Sequence, residues 1–130
     1  MNTSRFRPQF ALLALLPWLA CAAPAASDPY AEGYDLAATG DYRTAYAIWL
    51  PLAMNGDGRA QFNLGLMYHG GLYVAPDEAA AIHWYRAAAD NGIREAQEFL
   101  YVGYKEGWFG LPRSEFHADY WAGRLAESPS

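Results

Sequence analysis

Apolar residues recur along the chain three and four positions apart, and no alternating strand pattern of useful length occurs. From Ala60 to His69, the positions Ala60, Leu64 and Met67/Tyr68 share one helical face, and Gly65 beside Leu64 leaves room for a neighbouring helix. Ala96, Leu100 and Tyr104 repeat that stripe. A second kind of segment runs from Asp77 to Asp90, with Ala81, Trp84/Tyr85 and Ala88 as its buried candidates. Pro76, Asp77 and Glu78 mark its start, because proline tolerates a first helical turn and acids there oppose the helix dipole. Asn55-Gly56 and Asn91-Gly92 tolerate the left-handed backbone of a helix end. Pro112, Ser114 and Glu115 open a last helix that Ser128-Pro129 follows. The pattern predicts six helices, at 30–39, 41–55, 59–69, 77–91, 94–106 and 113–126.

The segments are periodic. At an offset of 36 residues Ala60-Gln61 returns as Ala96-Gln97, Leu64 as Leu100, Tyr68 as Tyr104, Gly71 as Gly107 and Pro76 as Pro112. Trp84-Tyr85 returns in reversed order as Tyr120-Trp121, and upstream Asp41, Ala45, Ala53 and Asn55-Gly56 match Asp77, Ala81, Ala89 and Asn91-Gly92. Such a period predicts stacked helix pairs, because one pair cannot bury its apolar face alone. Three units are expected, at about 28–58, 59–94 and 95–127, the first lacking about five loop residues. The fold class is therefore all-α, a short α/α solenoid of about three pairs.

The run Ala60-Gln-Phe-Asn-Leu-Gly-Leu-Met-Tyr68, followed by Gly70-Gly71, Pro76-Asp77, Ala79-Ala80-Ala81, Trp84-Tyr85, Ala87-Ala88-Ala89 and Asn91-Gly92, resembles a Sel1-like repeat, a relative of the tetratricopeptide repeat. The resemblance is close in the middle unit and looser in the outer two. Val74 stands where the family often has a second loop glycine, Tyr101 where Gly65 has its counterpart, and Arg113 where Asp77 has its own. The resemblance implies a scaffold for contacts with another protein or peptide, often in bacterial envelopes.

The N-terminus reads differently. Arg5 and Arg7 precede the apolar run Phe10 to Ala20, and small residues Ala22, Ala23, Ala25 and Ala26 follow. That order predicts a cleavable secretory signal over residues 1–22, and hence a periplasmic or secreted bacterial protein. Cys21, just past the apolar run, is a candidate for lipidation, which would make the protein a lipoprotein and give it its membrane contact. The competing expectation is that Cys21 is discarded with the signal.

Composition narrows the functional classes. The whole chain has 9 Lys+Arg against 14 Asp+Glu and a formal charge of −5. Removing Arg5 and Arg7 leaves 7 against 14, or −7. That balance argues against nucleic acid, whose binding needs clustered cations. One cysteine allows no intramolecular disulfide and no CxxC pair. His69, His83 and His117 lack metal-ligand spacing, and no GxSxG, P-loop or GxGxxG is present, so no catalytic, metal or cofactor residue is expected.

Two sets of residues remain as binding candidates. Phe62, His69, Glu98, Tyr101 and Lys105 lie off the core stripe of their helices and are expected to line a partner groove formed by the first helices of the pairs. Tyr73, Trp108 and Phe109 fall in the loops after Gly71 and Gly107, where they either fold back over the helices or stand exposed. If exposed, Trp108 and Phe109 form an anchor, and the alternative function is a periplasmic glycan- or peptidoglycan-binding module. Trp49, Trp84, Tyr85, Tyr120 and Trp121 are expected in the core between units.

Overall fold

The computed structural model describes residues 25–128, and the expectations for the signal segment and Cys21 lie outside them. Six helices follow in order: α1 (Pro29–Ala38), α2 (Tyr42–Met54), α3 (Gly58–Gly70), α4 (Glu78–Asp90), α5 (Arg94–Glu106) and α6 (Glu115–Glu127). No strand occurs among the described residues, and none of their helices is long and apolar enough to cross a membrane. Each helix packs against its neighbours in the chain, so α1/α2, α3/α4 and α5/α6 form hairpins stacked through α2·α3 and α4·α5. The fold is a short helical-repeat solenoid.

Local chemistry sets the helix starts. Side-chain oxygens of Asp28, Asp41, Asp57, Asp77 and Ser114 each accept a backbone N–H of the first turn that no carbonyl within the helix can satisfy. Asp77 is thus the cap and α4 begins at Glu78. Only α5 starts without a side-chain cap, from Ile93. At the other end, α3 and α5 stop where Gly71 (φ 65°) and Gly107 (φ 71°) turn left-handed.

Two apolar clusters hold the stack. The first joins Ala45, Trp49 and Ala53 of α2 to Ala60, Leu64 and Met67 of α3. The second joins Ala81, Tyr85, Ala88 and Ala89 of α4 to Ala96, Leu100 and Tyr104 of α5 and to Ala118 and Trp121 of α6. Small alanines let the helices approach while one large ring per unit fills the gap. A Cβ on Gly65 would lie 2.6 Å from the Tyr85 ring, and one on Gly33 2.9 Å from ring carbons of Trp49, so both glycines are required by close approach.

The polar core repeats too. Gln61 and Gln97 are buried, and their side-chain amides donate to the carbonyls of Ala53 (3.0 Å) and Ala89 (3.1 Å). Their side-chain oxygens accept from Asn91 Nδ2 (2.8 Å) and Ser128 Oγ (3.0 Å). Each glutamine therefore ties the end of one second helix to the end of the next. The sequence comparison showed the glutamines without showing this role.

The third unit departs from a strict period. Asp77 N donates to Tyr68 O at 3.0 Å, whereas the counterpart of that donor is Ser114, bonded to Tyr104 O at 2.8 Å. The last loop is thus one residue longer, and α6 follows α4 one position later than a strict repeat would place it. Trp121 then takes the place of Trp84, and Ala122 that of Tyr85. This corrects the reading of Tyr120-Trp121 as a reversed pair: Trp121 is buried, whereas Tyr120 is 49% exposed and not part of the core. The exchange of bulk is reciprocal, since Tyr101 stands where Gly65 does and half-buries against the second cluster. Gly103 likewise replaces Met67, and the buried Leu111 from the longer loop comes within 2.6 Å of where its Cβ would be.

Candidate functional site

α1 is the counterpart of α3 in a tighter register, set by the short turn after α1. Tyr30 lies against Trp49 with ring centroids 6.1 Å apart, as Phe62 lies against Tyr85 at 5.6 Å, and Gly33 meets Trp49 as Gly65 meets Tyr85. In this register Tyr34 corresponds to Leu66. Both are large and apolar, and both are exposed, at 59% and 43%.

Tyr34 and Leu66 line one groove. Its apolar end is a cavity of about 200 Å³ between α1, α2 and α3, walled by Tyr34, Ala37, Trp49, Leu66, Met67 and Leu72 among others. Tyr34, Asn63 and Leu66 also line an adjoining depression of about 340 Å³, closed by Tyr30, Arg59, Phe62, Ile93 and Glu95. The groove thus draws on α1, α3 and the start of α5. Asn63 is held in it by donating from Nδ2 to the Tyr30 hydroxyl at 3.1 Å.

Charge is confined to one end. Arg59 bonds Asp28 at 2.9 Å and Asp57 at 3.1 Å, and its guanidinium lies 4.2 Å from the centre of the Tyr30 ring. The hydrogen bonds it donates to Asp57 and then to Asp28 raise its pKa, so it stays cationic. Burial acts to raise the Asp57 carboxyl, but hydrogen bonds from Arg59 and the N–H of Ala60 outweigh it and hold it below the usual carboxylate range.

Among comparisons with known proteins, residues 58–93, spanning α3 and α4, match the family model described as Sel1 repeat. This helix pair is similar to a Sel1 repeat. Neither the curated proteins nor the solved structures compared with the chain give a match. Sel1 repeats generally mediate contacts between proteins.

The residues expected in a partner groove fall at different places around this Sel1-like pair. Phe62 lines the groove just described and is half-buried against Tyr85. His69 sits at the edge of the pair with Tyr85, Phe99 and Phe109 edge-on around it at 5.4–6.2 Å, and its Nδ1 lies 3.4 Å from the Tyr85 hydroxyl. Burial raises that Tyr85 hydroxyl to about 12. Glu98 pairs with Arg94 at 3.1 Å on α5. Tyr101 and Lys105 come together, Nζ donating to the phenol at 3.1 Å, a bond that raises the lysine pKa. They line a separate depression with Arg113, Glu115, Ala118 and Asp119, between α5 and α6.

The loop aromatics divide as well. Phe109 (φ 59°) folds back and stacks on Phe99 at 4.2 Å, whereas Tyr73 (φ 65°) and Trp108 are exposed. Phe109 is therefore a plug between units and not a free anchor. Tyr34, Asn63, Leu66 and Glu95 were missed by the sequence reading. Aligning Gly33 with Gly65 would have matched Tyr34 to Leu66 and shown an apolar position off the core stripe in both.

Proposed function

We propose that the protein is an exported, non-catalytic scaffold of the bacterial envelope that holds a partner protein in the groove across α1, α3 and the start of α5. The observation that carries this reading is the pairing of exposed Tyr34 and Leu66 at the mouth of one apolar cavity, whose α3 wall belongs to the segment similar to a Sel1 repeat. Large apolar side chains exposed together mark contact surfaces more often than chance solvent exposure does. A photocrosslinking residue placed at position 66 is expected to trap a discrete partner in intact cells. The same residue at position 127, on α6, is expected to trap none. Identical products from both positions, or none from position 66, would overturn the assignment. With the crosslinking residue kept at position 66, Tyr34→Glu is expected to abolish the product while leaving helical circular dichroism unchanged.

Export rests on Arg5, Arg7 and the apolar run to Ala20. Intact mass of the protein from cells tests it: cleavage near Ala22 gives an unmodified periplasmic or secreted chain, and a diacylglycerol adduct on Cys21 gives a lipoprotein. An uncleaved chain removes the envelope setting.

One observation favours a second reading, binding of cell-wall glycan: Trp108 is 55% exposed in its loop. A flat exposed ring suits a sugar face, and Phe109 supports Trp108 edge-on at 6.2 Å. Sedimentation with purified sacculi, lost in Trp108→Ala, would support it. Absence of wild-type sedimentation removes it.

A further inference from the structure

The two ends of the groove differ in chemistry, and that difference specifies a partner. No charged side chain lines the apolar cavity beside Trp49, Met67 and Leu72. Its volume of about 200 Å³ has room for one large apolar side chain. The adjoining depression holds Glu95 and Arg59. Arg59 is already engaged by Asp28 and Asp57, while Glu95 is exposed and makes no ion pair among the described residues. Arg59 is thus offset by Asp28 and Asp57, and Glu95 is the carboxylate of that lining that no ion pair among the described residues offsets. Residues 25–128 carry 7 basic against 14 acidic side chains, so the wider field also draws cations toward the groove.

Resting on the scaffold reading above, we infer that the groove takes a protein segment in which a large apolar residue is neighboured by lysine or arginine. The apolar side chain fills the cavity between Tyr34 and Leu66, and the basic one pairs with Glu95. Apolar burial supplies affinity and the charge selects orientation and partner. Tyr34, Asn63 and Leu66 line both subsites, which therefore adjoin, and neighbouring residues of one short segment suffice to reach both.

A random twelve-residue peptide library displayed on phage and selected on the immobilised mature protein tests this. The wild type is expected to enrich lysine or arginine next to leucine, methionine or an aromatic residue by at least about fivefold over the unselected library. Glu95→Lys is expected to shift the enrichment to aspartate or glutamate beside the same apolar residues. Glu127→Lys changes net charge equally but lies away from the groove, and should keep the basic preference. An equal shift in both variants, or wild-type enrichment of apolar peptides with no basic preference, overturns the inference while leaving the groove reading intact. Enrichment unaffected by Leu66→Glu overturns the groove reading itself. Circular dichroism of each variant separates these outcomes from unfolding.

Discussion

The side chain of Asn91 donates to that of Gln61 at 2.8 Å, across thirty residues of chain and from the end of one helix to the start of another. Gln61 passes the connection on to the carbonyl of Ala53. The last turns of α2 and α4 are thereby joined through a buried amide, and Gln97 joins those of α4 and α6 in the same way. In a solenoid, where each unit is stabilised mainly by its neighbours, such a bond acts between units and not within one.

Replacing Gln97 by leucine should therefore cost about 0.5–1.5 kcal/mol, because the Ala89 carbonyl loses one of two donors and keeps the N–H of Gly92 at 3.0 Å. Gln61→Leu should cost a similar amount, since the Ala53 carbonyl likewise keeps the N–H of Gly56 and the exposed Asn91 amide turns to water. Ser128→Ala should cost less, since Ser128 is only half-buried and Gln97 keeps its bond to Ala89. Urea denaturation followed by circular dichroism measures all three. Equal midpoints for Gln97→Leu and wild type would show that the amide ties do not couple the units.

Gly65→Ala adds one methyl where the Tyr85 ring already stands 2.6 Å away. Overpacking of this kind costs about 1–3 kcal/mol, offset in part by the better helix propensity of alanine, which is worth up to about 1 kcal/mol. In a Tyr85→Leu background the ring is gone and the same substitution should become neutral or stabilising. A double-mutant cycle on thermal or urea stability reads the coupling directly. Additive effects would mean that Tyr85 does not press on α3 as the distance implies.

Two tyrosines should ionise late. Tyr46 is held at about 12, first by its hydrogen bond with Tyr68 at 3.0 Å and then by burial, and Tyr85 is held at about 12 by burial. An unfolded tyrosine ionises near pH 10. Below that, both states keep the proton and the stability is fully present. Between about 10 and 12 the unfolded chain loses the proton first, so stability falls as pH rises through that window. A titration of phenolate absorbance should show a late fraction among the ten tyrosines, reduced in Tyr46→Phe and again in Tyr85→Phe. A single transition near pH 10 with the fold intact would contradict both environments.

Much of the helical layout is legible in the residues alone. The prediction of 77–91 for α4, observed at Glu78–Asp90, and of 94–106 for α5, observed at the same residues, rested on stripe spacing, on Pro76 and first-turn acids, and on the Asn91-Gly92 end. These are interactions within a few residues, and a sequence displays them directly. The candidate site was less legible. Phe62 reached the groove, but Tyr101 and Lys105 belong to another depression and Phe109 is stacked on Phe99.

What the sequence by itself determined is the all-helical repeat, its caps and the alanine, leucine and aromatic stripe that stacks it. Each follows from the 3.6-residue turn and from backbone groups that need partners close in the chain. Only the tertiary structure decided that Gly33 of α1 takes the part of Gly65 in α3, that α6 slips by one, and that Tyr34 and Leu66 meet at one cavity. Those outcomes depend on how loops of unequal length set helices side by side. A slip of a single position turns a helix by about 100° and changes which side chains share a surface.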